Sequence, residues 1–209
     1  GLQESYDYWL KELPDIGHEY DNRTVCPSEV LKAHYLICDT FMGDADPVGS
    51  VGPSNPKLLL SAIDRQFTGF GNIRKWRTGL EACATLFFGL IKNHSFHDGN
   101  KRTAFLVCLY HLSKIGRIPI ESAADFETLA IRTAMNDLQR YGAYAKFRKE
   151  RDADVKLIAN QIRRLTRPDD KRNYTVTYRQ LRAILRSFGL DLKDPSGGYI
   201  HVVRYVKKA

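Results

Sequence analysis

His94-Ser95-Phe96-His97-Asp98-Gly99-Asn100-Lys101-Arg102 is a polar run between two apolar ones. Before it, Leu80, Cys83, Ala84, Leu86, Phe87, Phe88, Leu90 and Ile91 leave a helix almost no polar face, the pattern of a helix buried inside a bundle. After it, Thr103 to Leu112 forms a second such segment. A polar stretch between two core helices has no packing explanation, so the chemistry is expected there. The fold implied by these two segments is mainly α, a helical bundle.

The nine residues have matching chemical roles. Gly99 and Asn100 stand where the chain leaves a loop and enters a helix. The first backbone N–H groups of a helix have no internal partners, and with the helix dipole they attract anions. Lys101 and Arg102, cations in the first turn, oppose that dipole unless an anion compensates, and the Arg fork matches phosphate oxygens. Asp98 is placed to hold a Mg²⁺ that bridges phosphates. His94 is of the residue type that exchanges protons near neutrality, and can take one from an attacking hydroxyl. Phe96, apolar within a polar loop, is expected to anchor that loop in the core. A base, a metal carboxylate, an anion nest and phosphate cations together point to phosphoryl or nucleotidyl transfer from ATP.

The run His-x-Phe-x-Asp-Gly-Asn-Lys-Arg, followed by Thr103-Ala104, resembles the active-site signature of the Fic/Doc (death-on-curing) family. The resemblance extends over residues 25–167 and implies a Fic/Doc-type helical bundle. It implies His94 as the general base toward a target-protein hydroxyl and Asp98 as the Mg²⁺ ligand. It also implies Gly99 and Asn100 as the nest, and Lys101 and Arg102 at the phosphates of ATP. The upstream stretch Phe67-Thr68-Gly69-Phe70-Gly71-Asn72-Ile73 would be a flap where the target peptide docks by strand addition. Lys101 stands where the AMP-transferring branch usually has Gly, and Ser95 where it often has Pro. Lys is typical of the Doc branch, toxins that phosphorylate elongation factor Tu and halt translation. Phosphate transfer is therefore expected ahead of protein AMPylation. The family's inhibitory signature, Ser/Thr four residues before a Glu that Gly or Asn follows, is missing from this sequence, so a separate antitoxin is expected.

Other readings stand beside this one. His97-Asp98, with His34 upstream, resembles the paired ligands of HD-type metal phosphohydrolases, but that leaves Gly99, Asn100 and Arg102 without roles. His97 reads as a solvent-facing position, and His34 and His111 as satisfied core residues. A reading of another class is a catalytically silent scaffold that binds nucleic acid or a partner protein.

Outward from the signature, Pro27-Ser28-Glu29 and Asn55-Pro56 read as helix starts. Residues 43–54 read as a Gly/Pro loop and Phe67–Trp76 as a hairpin or flap. Gly116 closes the second buried helix, and Ile118-Pro119-Ile120 is a short extended link. Ser122 to Asp125 resembles a capping box, and Val155 to Leu165 an amphipathic helix. Residues 1–24 are expected to be an N-terminal arm, irregular or a short helix. Residues 173–209 are expected to be a basic strand-helix-hairpin appendage (α+β): a strand at Tyr174–Tyr178, a helix from Leu181 to Phe188 ended by Gly189, and a hairpin around Pro195-Ser196-Gly197-Gly198. Leu181–Arg204 has some similarity to RNA-binding toxins of the HicA type, which carry a His just after the hairpin Gly. Here Tyr199 holds that place and His201 follows two residues on.

Composition limits the rest. The 209 residues carry 32 Lys+Arg, 24 Asp+Glu and 43% hydrophobic residues, enough for one core-forming domain plus a small appendage. No apolar run approaches the roughly 20 residues that span a bilayer, so no membrane role is expected. Gly1 to Ser5 carry no basic-then-apolar leader; the start reads as trimmed. Cys26, Cys38, Cys83 and Cys108 form no C-x-x-C pair and read as buried thiols in a reducing cytoplasm. Residues 1–145 carry 15 basic and 17 acidic side chains, and residues 146–209 carry 17 and 7. The net positive charge therefore lies in the C-terminal third, which would suit nucleic acid or an acidic antitoxin.

Overall fold

The computed structural model describes residues 1–43, 47–71, 73–120, 122–170, 177–187, 190–196 and 199–204. It is mainly helical, with small antiparallel strand pairs. The chain divides into two compact units, Gly1–Asp169 and Asp170–Ala209.

The first unit is built around α4 (Gly79–Lys92), which packs against α5 (Asn100–Lys114), α7 (Ala153–Leu165), α3 (Pro56–Asp64) and α6 (Ala123–Ala134). Nine of its residues are buried, among them Leu86, Phe87, Leu90 and Ile91, as its nearly all-apolar sequence requires. Its start is fixed by a capping box: Thr78 Oγ1 accepts from the Glu81 N–H, and the Glu81 carboxylate accepts from the Thr78 N–H. α5 turns Ala104, Val107, Cys108, His111 and Leu112 inward. α2 (Pro27–Thr40) packs on α5, with Pro27 in its first turn and Glu29 closing back on the Cys26 N–H at 2.9 Å. Asn55 caps α3 through the N–H groups of Lys57 and Leu58. Residues 2–12 form α1 (Leu2–Glu12), which lies on α2; Ser5 and Tyr35 share a 2.6 Å hydrogen bond.

The flap is a minimal hairpin, β1 (Gly69–Phe70) with β2 (Ile73–Arg74). The link after Gly116 is β3 (Arg117–Pro119), whose partner β4 (Thr166–Pro168) is a strand the sequence pattern did not announce. At Ser122 the capping reading is corrected. The hydroxyl donates to the Asp125 carboxylate at 3.0 Å instead of accepting from the helix backbone.

In the second unit, α8 (Tyr178–Ser187) is followed by β5 (Leu190–Ser196) paired with β6 (Tyr199–Arg204). The helix and hairpin match the sequence pattern. The strand expected at 174–178 does not reach Tyr178, which begins α8, and Thr177 caps that helix through Gln180. Residues 174–176, Phe188, Gly189, Gly197 and Gly198 lie outside the described residues. Arg182 and Arg186 grip the Asp191 carboxylate at 2.6 and 2.9 Å and hold its pKa down.

All four cysteines are buried and free. No helix among the described residues is long and apolar enough to cross a membrane.

Candidate active site

α4 ends at Lys92 with Asn93 as its cap, and the signature runs from His94 into the first turn of α5. His94 takes φ +48°, a left-handed conformation that a bulky residue adopts at a cost of about 1–3 kcal/mol. The side chain is exposed. Contacts from Ser54 hold the turn that follows. Ser54 Oγ donates to the His94 carbonyl at 3.1 Å, and the Ser54 N–H donates to the Ser95 carbonyl at 2.9 Å.

Phe96 anchors the loop as its apolar character suggested. It is 2% exposed and stacks on the His34 ring, centroids 3.9 Å apart and planes 15° from parallel. Asn100 acts on the same residue. Its Oδ1 accepts from the Phe96 N–H at 3.0 Å and its Nδ2 donates to the Phe96 carbonyl at 2.8 Å. The Asn100 side chain is therefore a clamp inside the loop, which leaves only its backbone N–H for the expected anion nest.

Gly99 is engaged as well. It caps α5 with φ +70°, as a residue without Cβ can, but its N–H donates to Asp98 Oδ1 at 2.5 Å. The helix donors without an intrahelical acceptor are those of Asn100, Lys101 and Arg102. The first turn of α5 holds no acidic residue, so no carboxylate within that turn offsets the positive end of the dipole. Lys101 is exposed. Arg102 lies over the Phe41 ring, 4.9 Å from its centroid.

Asp98 accepts from Gly99 through Oδ1 and from the Gly49 N–H through Oδ2, the latter at 2.9 Å. The Gly49 and Gly99 N–H groups, with Arg102 and Lys101 nearby, hold its carboxyl below the usual range, so it is ionised at neutral pH. Each oxygen keeps a lone pair. Among the described residues no group of three His, Cys, Asp or Glu side chains is arranged to hold a metal. Mg²⁺ does not require one, because it is commonly held by one or two carboxylates with water and substrate phosphates. Asp98 fits that use.

The structure brings His94, Asp98, Gly99, Asn100, Lys101 and Arg102 to the wall of one cavity of about 780 Å³. The cavity runs on past the signature to Phe105 and to α6, where Glu127 and Ile131 line it. No described flap residue lines it. Phe67 lies at the foot of the hairpin, stacked on His18 at 4.0 Å with Arg74 over its ring. Thr68 closes the hairpin by accepting from the Lys75 N–H at 2.8 Å. Phe70 is 92% exposed and Ile73 69%, beside Gly69 and the turn residue Gly71. Asn72 lies outside the described residues.

The readings of the remaining histidines sort themselves out here. His97 is exposed and lines the cavity. His34 is fully buried, with both ring nitrogens engaged by Thr103 and Gly52, which leaves no lone pair for a metal and removes the HD-type reading. His111 is buried and donates from Nε2 to the Arg23 carbonyl at 2.6 Å. Burial pushes both rings down to about 4.

Sequence reasoning missed the segment 48–54, which crosses the signature like a strap. It also missed Phe41 beneath Arg102 and the α6 wall. The strap's glycines and Pro53 signalled only a loop, and its partners lie some 45 residues on, beyond any local pattern.

No match was found among curated proteins or solved structures. The family model described as Fic/DOC family matches residues 24–112, a stretch that runs from just before α2 into the last turn of α5 and contains the whole signature. Over residues 24–112 the chain is similar to the Fic/DOC family.

Proposed function

We propose that this protein is a Doc-like transferase that moves the γ-phosphate of Mg-ATP to a Ser or Thr hydroxyl of a protein target. The observation that carries the reading is the convergence of His94, Asp98 and the first turn of α5 on one cavity. His94 takes the proton of the target hydroxyl as its oxygen attacks the γ-phosphorus. The new O–P bond forms while the bond to the β-phosphate oxygen breaks, and ADP leaves. The N–H groups of Asn100, Lys101 and Arg102, with the two cationic side chains, bind the phosphate oxygens and stabilise the charge that builds there. Asp98 would hold Mg²⁺, which when bound neutralises charge on the phosphates. The exposed Phe70 and Ile73 at the flap suit docking of an extended target segment.

Lys101 favours phosphate over AMP transfer. Its side chain at the nest changes how a triphosphate lies, and so which phosphorus faces the hydroxyl. Elongation factor Tu is the target that the Doc-like signature suggests. A separate antitoxin in a reducing cytoplasm completes the proposal, supported by the missing inhibitory signature and by four free, buried thiols. The basic C-terminal region is the surface for an acidic antitoxin or nucleic acid.

The test uses ATP labelled at either the α or the γ phosphorus, with Mg²⁺ and a bacterial lysate. Label reaching a protein from the γ position alone supports the proposal. Label from the α position means AMP transfer, and no transfer from either points first to another nucleotide donor and then to the silent scaffold.

A further inference from the structure

We infer that His34, far upstream of the signature, is a positioning residue that holds the strap 48–54 and the phosphate-binding turn of α5 in register. This rests on the nucleotide-site reading above.

The ring meets three separate pieces of the site. Its face stacks on Phe96. Its Nε2 accepts the Gly52 N–H at 3.0 Å. That bond fixes the tautomer, because a nitrogen that accepts carries no proton. Nδ1 therefore holds the proton and donates to Thr103 Oγ1, also 3.0 Å away. Thr103 closes the first turn of α5, its N–H on the Gly99 carbonyl at 2.8 Å. A Cβ built on Gly99 would lie 3.9 Å from His34 Cε1, so the ring stands directly beside the cap.

What His34 holds at Gly52 passes to the reacting groups through the strap. The Gly49 N–H reaches Asp98, the Gly52 carbonyl receives the His97 N–H at 3.3 Å, and Ser54 holds the carbonyls of His94 and Ser95. One buried imidazole thus sets the strap against the loop from below, while the strap's outer contacts orient the metal carboxylate and the strained His94. A phenyl ring could keep the stacking and the volume, but it would leave the Gly52 N–H without an acceptor. A Gln could keep both hydrogen bonds.

The test compares wild type, His34→Phe and His34→Gln. Two quantities are read at a temperature where circular dichroism shows each native: amide hydrogen exchange at Gly52 in the free protein, and the Kd for Mg-ATP. In His34→Phe, Gly52 exchange should accelerate and the Kd rise tenfold or more, while His34→Gln stays within threefold of wild type. A purely structural role would lower the melting temperature and leave the Kd of the folded protein unchanged. Unchanged Kd in a folded His34→Phe, or equal loss in the Gln variant, overturns the inference. If His34→Phe does not fold, Thr103→Val removes one partner of the same ring, and the same two readouts decide. Wild type that binds no Mg-ATP sinks the nucleotide reading, and Gly52 exchange then decides the brace by itself: acceleration in His34→Phe keeps it and no change overturns it.

Discussion

The Asn100 side chain bonds both the N–H and the carbonyl of Phe96, at 3.0 and 2.8 Å. One amide therefore closes the loop that carries His94 and Asp98. An Asp in its place keeps the acceptor but turns a donor into a second acceptor facing the Phe96 carbonyl. Asn100→Asp should cost about 1–3 kcal/mol of stability and lower transfer activity more than stability explains. A urea midpoint and an activity equal to wild type would rule out the clamp.

Phe96 is the loop's hold on the core. Phe96→Ala opens a cavity against His34 and should cost about 3–5 kcal/mol, whereas Phe96→Leu should cost less. Equal urea midpoints for the two variants would contradict the packing role.

Two left-handed glycines should respond differently to the same substitution. Gly99 has room, since an added Cβ would meet Val48 at 3.6 Å, so Gly99→Ala carries only the left-handed penalty of about 1–2 kcal/mol. Gly52, at φ +88°, would bring a Cβ to 2.9 Å from the Trp9 indole nitrogen and 3.1 Å from the Tyr35 hydroxyl. Gly52→Ala should therefore be the more destabilising, read as the larger drop in melting temperature. The reverse order would mean that the strap shifts freely.

Acid should weaken the fold in a defined window. His34 and His111 are pushed down to about 4 when folded, chiefly by burial, and titrate near 6.5 when unfolded. Between those values the unfolded chain binds more protons. Stability is thus full above about pH 6.5 and falls as pH drops toward 4, by up to about 3 kcal/mol per ring. Asp21, Glu29 and Asp98, held below their usual range, add losses of the same sign at lower pH. A urea midpoint unchanged from pH 7 to pH 4.5 would contradict this.

The bundle was legible in the sequence where periodicity was strong. The apolar stretches gave α4 and α5, Asn55-Pro56 gave α3, and the glycines between Phe67 and Ile73 gave the flap. The signature's local parts were legible too, because nine adjacent residues carry them. What escaped depends on contacts between distant segments. Asn100 reads through its backbone N–H alone until its side-chain amide is seen on Phe96. Phe67 reads as flap until it is seen stacked on His18. His34 reads as core until both of its nitrogens are traced. β4 escaped because Thr166–Pro168, short and ending in Pro, becomes a strand only by pairing with Arg117–Pro119.

Everything proposed for the site depends on His94 acting as the base of phosphate transfer. Wild type and His94→Ala should be compared for transfer of γ-labelled phosphate to protein, with melting temperatures taken on the same samples. Transfer by wild type and its loss in the variant, with the fold retained, is the expected result. Full transfer by a folded His94→Ala protein would contradict it.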